Sequence, residues 1–138
     1  MGTRSPHWFA RLKQLLFAGG ADDGRIALGA KGERLAARRL RREGYRVVAR
    51  NFRAGGAEID AIAWDGDTLV FVEVKTRASF GAGTPEESVH GLKQYRIRRA
   101  AALYVRARAM DERPMRFDVV AVSRIQGRWR LEIIKEAF

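Results

Sequence analysis

Glu58-Ile-Asp-Ala-Ile-Ala-Trp-Asp-Gly-Asp-Thr-Leu-Val-Phe-Val-Glu-Val-Lys-Thr-Arg77 holds two strand patterns around one turn. Residues 58–64 and 69–76 are rich in β-branched and aromatic side chains, and Asp65-Gly66-Asp67 has the chemistry to reverse the chain. In the first strand Glu58, Asp60, Ile62 and Trp64 share a face, opposed by Ile59, Ala61 and Ala63. In the second, Leu69, Phe71, Glu73 and Lys75 oppose Val70, Val72 and Val74. Both faces are mostly apolar, as in a sheet covered on both sides, where carboxylates and a lysine are costly unless they are paired or bind a cation. Directly opposed residues point the same way, so an even-numbered loop puts Asp60 and Glu73 on one face. A turn at Gly66-Asp67 sets them opposite each other, and one at Asp65-Gly66 offsets them by one same-face step. In either register Asp60, Glu73 and Lys75 converge, with Glu58 at the margin.

The chain has 138 residues, 46% hydrophobic and 31% charged, enough for one soluble globular domain. Its net charge is +11, and 22 of its 27 basic residues are Arg. The planar guanidinium fork suits phosphate, so the balance favours a polyanionic partner over mere solubility. The absence of cysteine excludes thiolate metal sites and cysteine nucleophiles and fits a reducing cytoplasm. No apolar run approaches the roughly 18 residues of a membrane span, so no stable membrane insertion is expected.

Residues 1–24 read as an N-terminal extension and 25–138 as the domain. Within the extension, His7 to Phe17 has the pattern of a short basic amphipathic helix, either a loosely docked terminus or an anchor to a partner or an anionic membrane surface. Gly19-Gly20 and Asp22-Asp23-Gly24 are expected to break it, and it is too short and interrupted for a secretory signal. From Ile26 to Glu43 Leu28, Gly32, Leu35, Ala36 and Leu40 make one helical stripe, with Gly44 placed as its cap. Glu33 lies about 20° around the helix from Leu40, so it either looks into a site or pairs with neighbouring arginines. Tyr45–Phe52 reads as a strand, and Arg53-Ala54-Gly55-Gly56 as a mobile loop at the site mouth. Beyond the hairpin, Thr84-Pro85-Glu86-Glu87 has helix-start chemistry. His90-Gly91 weakens the first turn, and a firm helix is expected from Leu92 to Ala107, with Ile97, Ala100, Ala101 and Tyr104 buried and Lys93, Arg96, Arg99 and Arg106 on its other side. Strands follow at Arg116–Ser123 and Arg128–Ile134, joined at Gln126-Gly127. The order α-β-β-β-α-β-β gives a mixed sheet with a helix for each face.

Asp, then Glu-x-Lys on the next strand, is a hard-oxygen arrangement suited to Mg²⁺. Lys75 can orient or deprotonate a water or offset charge on a phosphate. A structural ion-pair cluster is the competing reading, but four acids around one lysine on an apolar sheet seldom repay their desolvation. Asp118 starts a strand and either joins the site or, preferably, caps or pairs with an arginine. His7 and His90 have no partner at ligand spacing.

Gly32-Glu33-x-x-Ala36, Arg50-Asn51-Phe52-Arg53, Glu58-Ile59-Asp60, Phe71-Val72-Glu73-Val74-Lys75-Thr76-Arg77 and Arg116-Phe117-Asp118 together resemble the YraN family of bacterial predicted endonucleases, over roughly residues 27–134. That family resembles archaeal Holliday-junction resolvases within the restriction-endonuclease-like superfamily. The resemblance implies an αβββαβ core in an α/β fold, with metal at Asp60 and Glu73 and Glu58 beside them. It makes Lys75 the catalytic lysine and Glu33 the helix glutamate. Ala57 stands where the family's Gly-Glu-Ile-Asp has glycine. The function implied is hydrolysis of phosphodiesters in branched or structured DNA with Mg²⁺ or Mn²⁺ in the cytoplasm. Arg53, Arg77, Lys93, Arg96 and Arg99 are the expected phosphate contacts, and cutting a junction would call for a homodimer. The alternative is a non-catalytic module that binds nucleic-acid structure.

Overall fold

The computed structural model describes residues 22–77 and 87–138, with side chains over 28–76 and 91–138. Helix α1 (Asp22–Arg42) leads into a five-stranded sheet of β1 (Arg46–Ala54), β2 (Ala57–Asp65), β3 (Thr68–Arg77), β4 (Met115–Ile125) and β5 (Arg128–Ile134), with α2 (Glu87–Ala107) between β3 and β4. The strands lie in chain order, and only β3 and β4 run parallel. That one parallel pair is why a helix must intervene there and tight turns suffice elsewhere. This is the mixed α/β sheet expected from the sequence, consistent with a restriction-endonuclease-like core.

The period-2 pattern of β3 sends its side chains into two cores. Val70 and Val72 pack with Ala36 and Leu40 of α1 and with Tyr45 on one face. Leu69 and Phe71 pack with Ile97, Ala100, Ala101 and Tyr104 of α2 on the other. Aromatic rings run across the second face: Tyr104 meets Phe52 and Phe71 edge-on, and Phe71 stacks on Phe117, which stacks on Phe138. These contacts fix α2 over the sheet.

Several local expectations are corrected. Asp22-Asp23-Gly24 belongs to the first turn of α1, where acidic residues favour the positive end of the helix dipole. The segment 53–56 is no mobile loop: Arg53 and Ala54 continue β1, Ala54 pairs with Ala57, and Gly55-Gly56 makes a two-residue turn with both φ positive. That is the combination a type I′ hairpin turn demands, and glycine supplies it without steric cost. Ala57 starts β2 with no positive φ, so glycine is not required at that position. Helix α2 runs through His90-Gly91 from Glu87. Gly44 caps α1 as expected, with φ +94°, its N–H donating to Arg41 O and Tyr45 N–H to Leu40 O, a Schellman closure. The amphipathic segment at 7–17, the Thr84-Pro85 helix start and His7 lie outside the described residues, and the side chains of Arg77 and His90 do too.

Asp118 takes the structural role preferred for it. Level with Val72 on β4, it faces α1, on the opposite side of the sheet from Asp60 and Glu73, and it is fully buried. Arg116 donates to both its oxygens, Nε at 2.8 Å and Nη2 at 2.9 Å. Tyr45 Oη donates at 3.2 Å and the Glu136 backbone N–H at 3.1 Å. Arg116 also bonds Asp65 at 2.7 Å, closing the β2–β3 turn onto β4. The Arg116 hydrogen bond holds the Asp65 carboxyl below its ordinary range, and burial beside Asp118 pushes the Tyr45 hydroxyl well above its own. Removing one member of a buried pair leaves the other uncompensated. Arg116→Met is therefore expected to lower unfolding free energy in urea by about 3–5 kcal/mol, and adding Asp118→Leu should recover part of that loss.

Candidate functional site

Asp65 pairs with Thr68, so Gly66-Asp67 is the two-residue loop, and the register carried on from Ala61–Val72 places Asp60 opposite Glu73. The ladder between β2 and β3 stops at Ala61–Val72, while β2 goes on pairing with β1 down to Ala57 and β3 with β4 up to Arg77. The two central strands therefore fork, and Asp60 and Glu73 stand at the crotch. Part of the reason is chemical. The Val74 N–H, a candidate for the next rung, donates instead to Asp60 Oδ2 at 2.7 Å.

Around the fork gather groups from five elements. Glu73, only 6% exposed, receives Lys93 Nζ of α2 at 2.5 Å on Oε1, with Lys75 Nζ 3.5 Å from the same oxygen. Glu33 arrives because α1 crosses the open end of the sheet at Gly32. A Cβ there would lie 1.9 Å from Thr76 Oγ1, so only glycine lets the helix sit this close. On β1, Asn51 lies opposite Asp60 by register and holds a left-handed φ of 53°, a conformation asparagine tolerates better than most residues. With its amide nitrogen turned toward the acids it donates to Glu33 Oε2 at 3.2 Å and Glu58 Oε1 at 3.1 Å. Arg53 Nε holds the other oxygen of Glu58 at 3.1 Å.

A cavity of about 410 Å³ is lined by Glu58, Asp60 and Glu73 of the sheet, by Glu33 of α1 and by Leu92, Lys93, Arg96 and Ile97 of α2, with Gly56 of the β1–β2 turn also in its wall. Crowding of like charges in a partly dry space shifts the acids. Burial, then the neighbouring Glu73 carboxylate, pushes Asp60 up to about 8. Burial and Glu58 raise Glu33 above its ordinary range. Burial, reinforced by Lys93, brings Lys75 down to about 8. Burial is the largest influence on the Lys93 ammonium and works against it, but the charge and hydrogen bond of Glu73, with contributions from Lys75 and Asp60, together outweigh it, and Lys93 sits above the ordinary lysine value.

The structure thus brings together Glu33, Glu58, Asp60, Glu73 and Lys75. Arg96 lines the same cavity, and Arg99 approaches Gly55 at its rim. Lys93 reaches Glu73 from a helix side expected to be solvated; standing four residues before the buried Ile97, it shares that residue's face, and this spacing was the overlooked signal. Asn51 was overlooked as a site residue; an asparagine amid an apolar strand pattern was its trace.

A mixed five-stranded sheet flanked by two helices, with acids and a lysine at the fork of its central strands, places the chain among α/β proteins with a restriction-endonuclease-like core. Residues 32–122 match the family described as "Uncharacterised protein family UPF0102". A UPF0102 protein of Chlorobaculum tepidum is 50% identical over 117 residues, covering 80% of this chain and 91% of that one. Another from Moorella thermoacetica is 47% identical over 115 residues, covering 80% and 93%. A third, from Symbiobacterium thermophilum, is 48% identical over 112 residues, covering 80% and 95%. The chain belongs to the UPF0102 family, the one its motifs resembled under the name YraN. No helix among the described residues is long and apolar enough to cross a membrane.

The Asp60 shift gives stability a defined pH dependence. With a carboxyl raised from 3.8 to about 8, the folded chain keeps a proton that the unfolded chain has released. The resulting stabilisation is full below the lower value and lost as pH rises through the upper one. With chelator present, the urea midpoint is expected to fall between about pH 5 and pH 8, and Asp60→Asn should lose most of that fall. A wild-type midpoint that is flat or rises over this range would contradict the assignment.

Proposed function

We propose that this protein is a metal-dependent endonuclease that hydrolyses phosphodiesters in branched or structured DNA. The observation that carries this reading is the meeting of Asp60, Glu73 and Lys75 where the β2–β3 ladder ends, beside a basic wall. The residues suit a hard divalent cation. Their donors are all carboxylate oxygen, and burial together with neighbouring carboxylates raises the pKa values of Asp60 and Glu33, a cost that a bound cation would relieve. Among the described residues no group of three or more acidic or histidine side chains forms a ready-made cage. Mg²⁺ or Mn²⁺ retains waters and can be held by one or two carboxylates plus substrate, so the reading does not require such a cage.

Asp60 and Glu73 would hold the ion, with Glu58 nearby and Glu33 assisting. When bound, it would polarise the scissile phosphate and lower the pKa of a coordinated water. Lys75, with a pKa near 8, exists in both protonation states close to neutral pH. It can therefore accept a proton from an attacking water or, as the ammonium, offset charge building on the phosphate. The Val74 N–H fixes the Asp60 carboxylate, and Asn51 ties Glu33 to Glu58 beside it. Arg53, Arg77, Lys93, Arg96 and Arg99 would contact flanking phosphates. Two such sites on antiparallel strands of a junction would come from a two-fold dimer, and the reading expects the protein to work in the cytoplasm.

One observation favours a second reading, a module that recognises DNA structure without cutting it. Glu73 already has two ammonium partners, as a purely structural ion cluster would. Labelled duplex, single strand, flap and four-way junction, incubated with Mg²⁺ or Mn²⁺, separate the two. Nuclease action predicts cutting that Asp60→Ala abolishes and Lys75→Ala slows by about 10²–10⁴-fold. It also predicts binding that weakens steeply as salt rises. Binding without cutting, unaffected by either substitution, would replace the enzyme with the module.

A further inference from the structure

Glu73 is the most enclosed acid of the site, and its Oε1 meets two ammonium groups of different freedom. Lys75 is rooted in β3 two residues away, and its side chain is 25% exposed. Lys93 is rooted in α2 across the cavity, and its side chain is 44% exposed although its Nζ touches Glu73. Its four-carbon stem can swing toward the cavity mouth, where Arg96 stands, with no backbone movement. Glu73 cannot exchange partners so easily: at 6% exposure it has little water to turn to and needs a cation at all times.

We propose that Lys93 is the resident counter-ion of Glu73 in the cation-free protein, displaced when a divalent cation binds and released to hold a substrate phosphate at the same mouth. This rests on the nuclease reading and adds to it an order of events. Lys93 competes with the ion for one carboxylate oxygen, so ion binding alone is weak. A phosphate that takes up the freed ammonium removes part of that cost, so cation and DNA bind cooperatively, each tightening the other by the same factor. Lys93 is thus a positioning residue that links ion loading to substrate loading, while Lys75 stays with the site throughout.

The test is Mn²⁺ affinity, measured on the full chain by calorimetry and by the loss of the free-ion electron paramagnetic resonance signal. The wild type is compared with Lys93→Met, Lys93→Arg and, as a cavity-lining control, Arg96→Met. Lys93→Met should bind Mn²⁺ about tenfold more tightly than wild type, because no internal cation has to leave. Lys93→Arg, which keeps the charge, should stay within about twofold of wild type, and Arg96→Met should move less than Lys93→Met. A non-cleavable phosphorothioate junction should tighten Mn²⁺ binding in the wild type and do so far less in Lys93→Met. Lys93→Met should also melt earlier than wild type in chelator and gain more from added Mn²⁺. If the methionine variant does not fold, Lys93→Gln serves the same comparison. Mn²⁺ binding by the wild type that is unchanged or weaker without Lys93 overturns the displacement and leaves the nuclease reading standing. Absence of Mn²⁺ binding in every form overturns both.

Discussion

Because α1 and α2 cover opposite faces of β3, all five side chains from Leu69 to Glu73 are buried. The first four are apolar and supply the centres of two cores, one for each helix. Glu73 continues the same alternation into the place where the next apolar residue would stand. Burying a carboxylate there costs free energy that packing cannot return, so the neighbourhood is arranged to supply compensating charge. Lys75 comes from the same strand face and Lys93 from the covering helix. The constraint of a two-faced strand thus determines both what holds the fold together and where its chemistry can sit.

Two buried aspartates show how differently that constraint is met. Asp118 has an arginine on both oxygens, a tyrosine hydroxyl and a backbone N–H, and this network binds β4 to the β2–β3 turn and to the segment after β5. Asp60 has one short backbone hydrogen bond, and burial, then the charge of two glutamates, raises its pKa. The first arrangement is what a structural ion cluster looks like when its demands are fulfilled. The second has few such partners, and its carboxylate faces the cavity. The left-handed φ of Asn51 and the close seating of Gly32 on Thr76 also lie beside this site. Both serve to bring Glu33 and Glu58 to the rim.

Much of this could be read from the sequence because period-2 alternation and turn length are local properties. The even loop at Gly66-Asp67 fixed Asp60 and Glu73 on one face, and the helical stripe Ile97-Ala100-Ala101-Tyr104 fixed the face of α2. The Gly44 cap was equally local. What escaped depends on interactions between distant segments. The fork of β2 from β3 depends on where the sheet stops pairing, and the Val74 N–H that bonds Asp60 there is a contact no propensity reports. The Gly55-Gly56 turn was mistaken for a loop because glycine pairs signal both, and only the pairing of Ala54 with Ala57 decides between them. Lys93 was misplaced because a long amphipathic side chain on a basic helix reads as solvated even when its stem lies on the buried face.

Charge at the site explains why so basic a chain would be needed to work on a polyanion. Glu33, Glu58, Asp60 and Glu73 present four carboxylates to the cavity, and a phosphate brought among them alone would be repelled. Lys75, Lys93 and Arg96 stand close enough to counter that repulsion locally. Arg53 is turned to Glu58, and Arg99 borders the Gly55 turn. The net +11 of the chain adds a long-range field that draws a polyanion in, but that field is screened over roughly 8 Å at physiological salt. It can therefore raise the frequency of encounter without holding a phosphodiester in place. Placement has to come from cations already at the fork, and these are the same groups that neutralise Glu73 before any ligand arrives. If the site takes a phosphodiester as proposed, substrate and Glu73 would draw on one small set of cations, and their competition for it would tie the stability of the free site to its affinity for substrate.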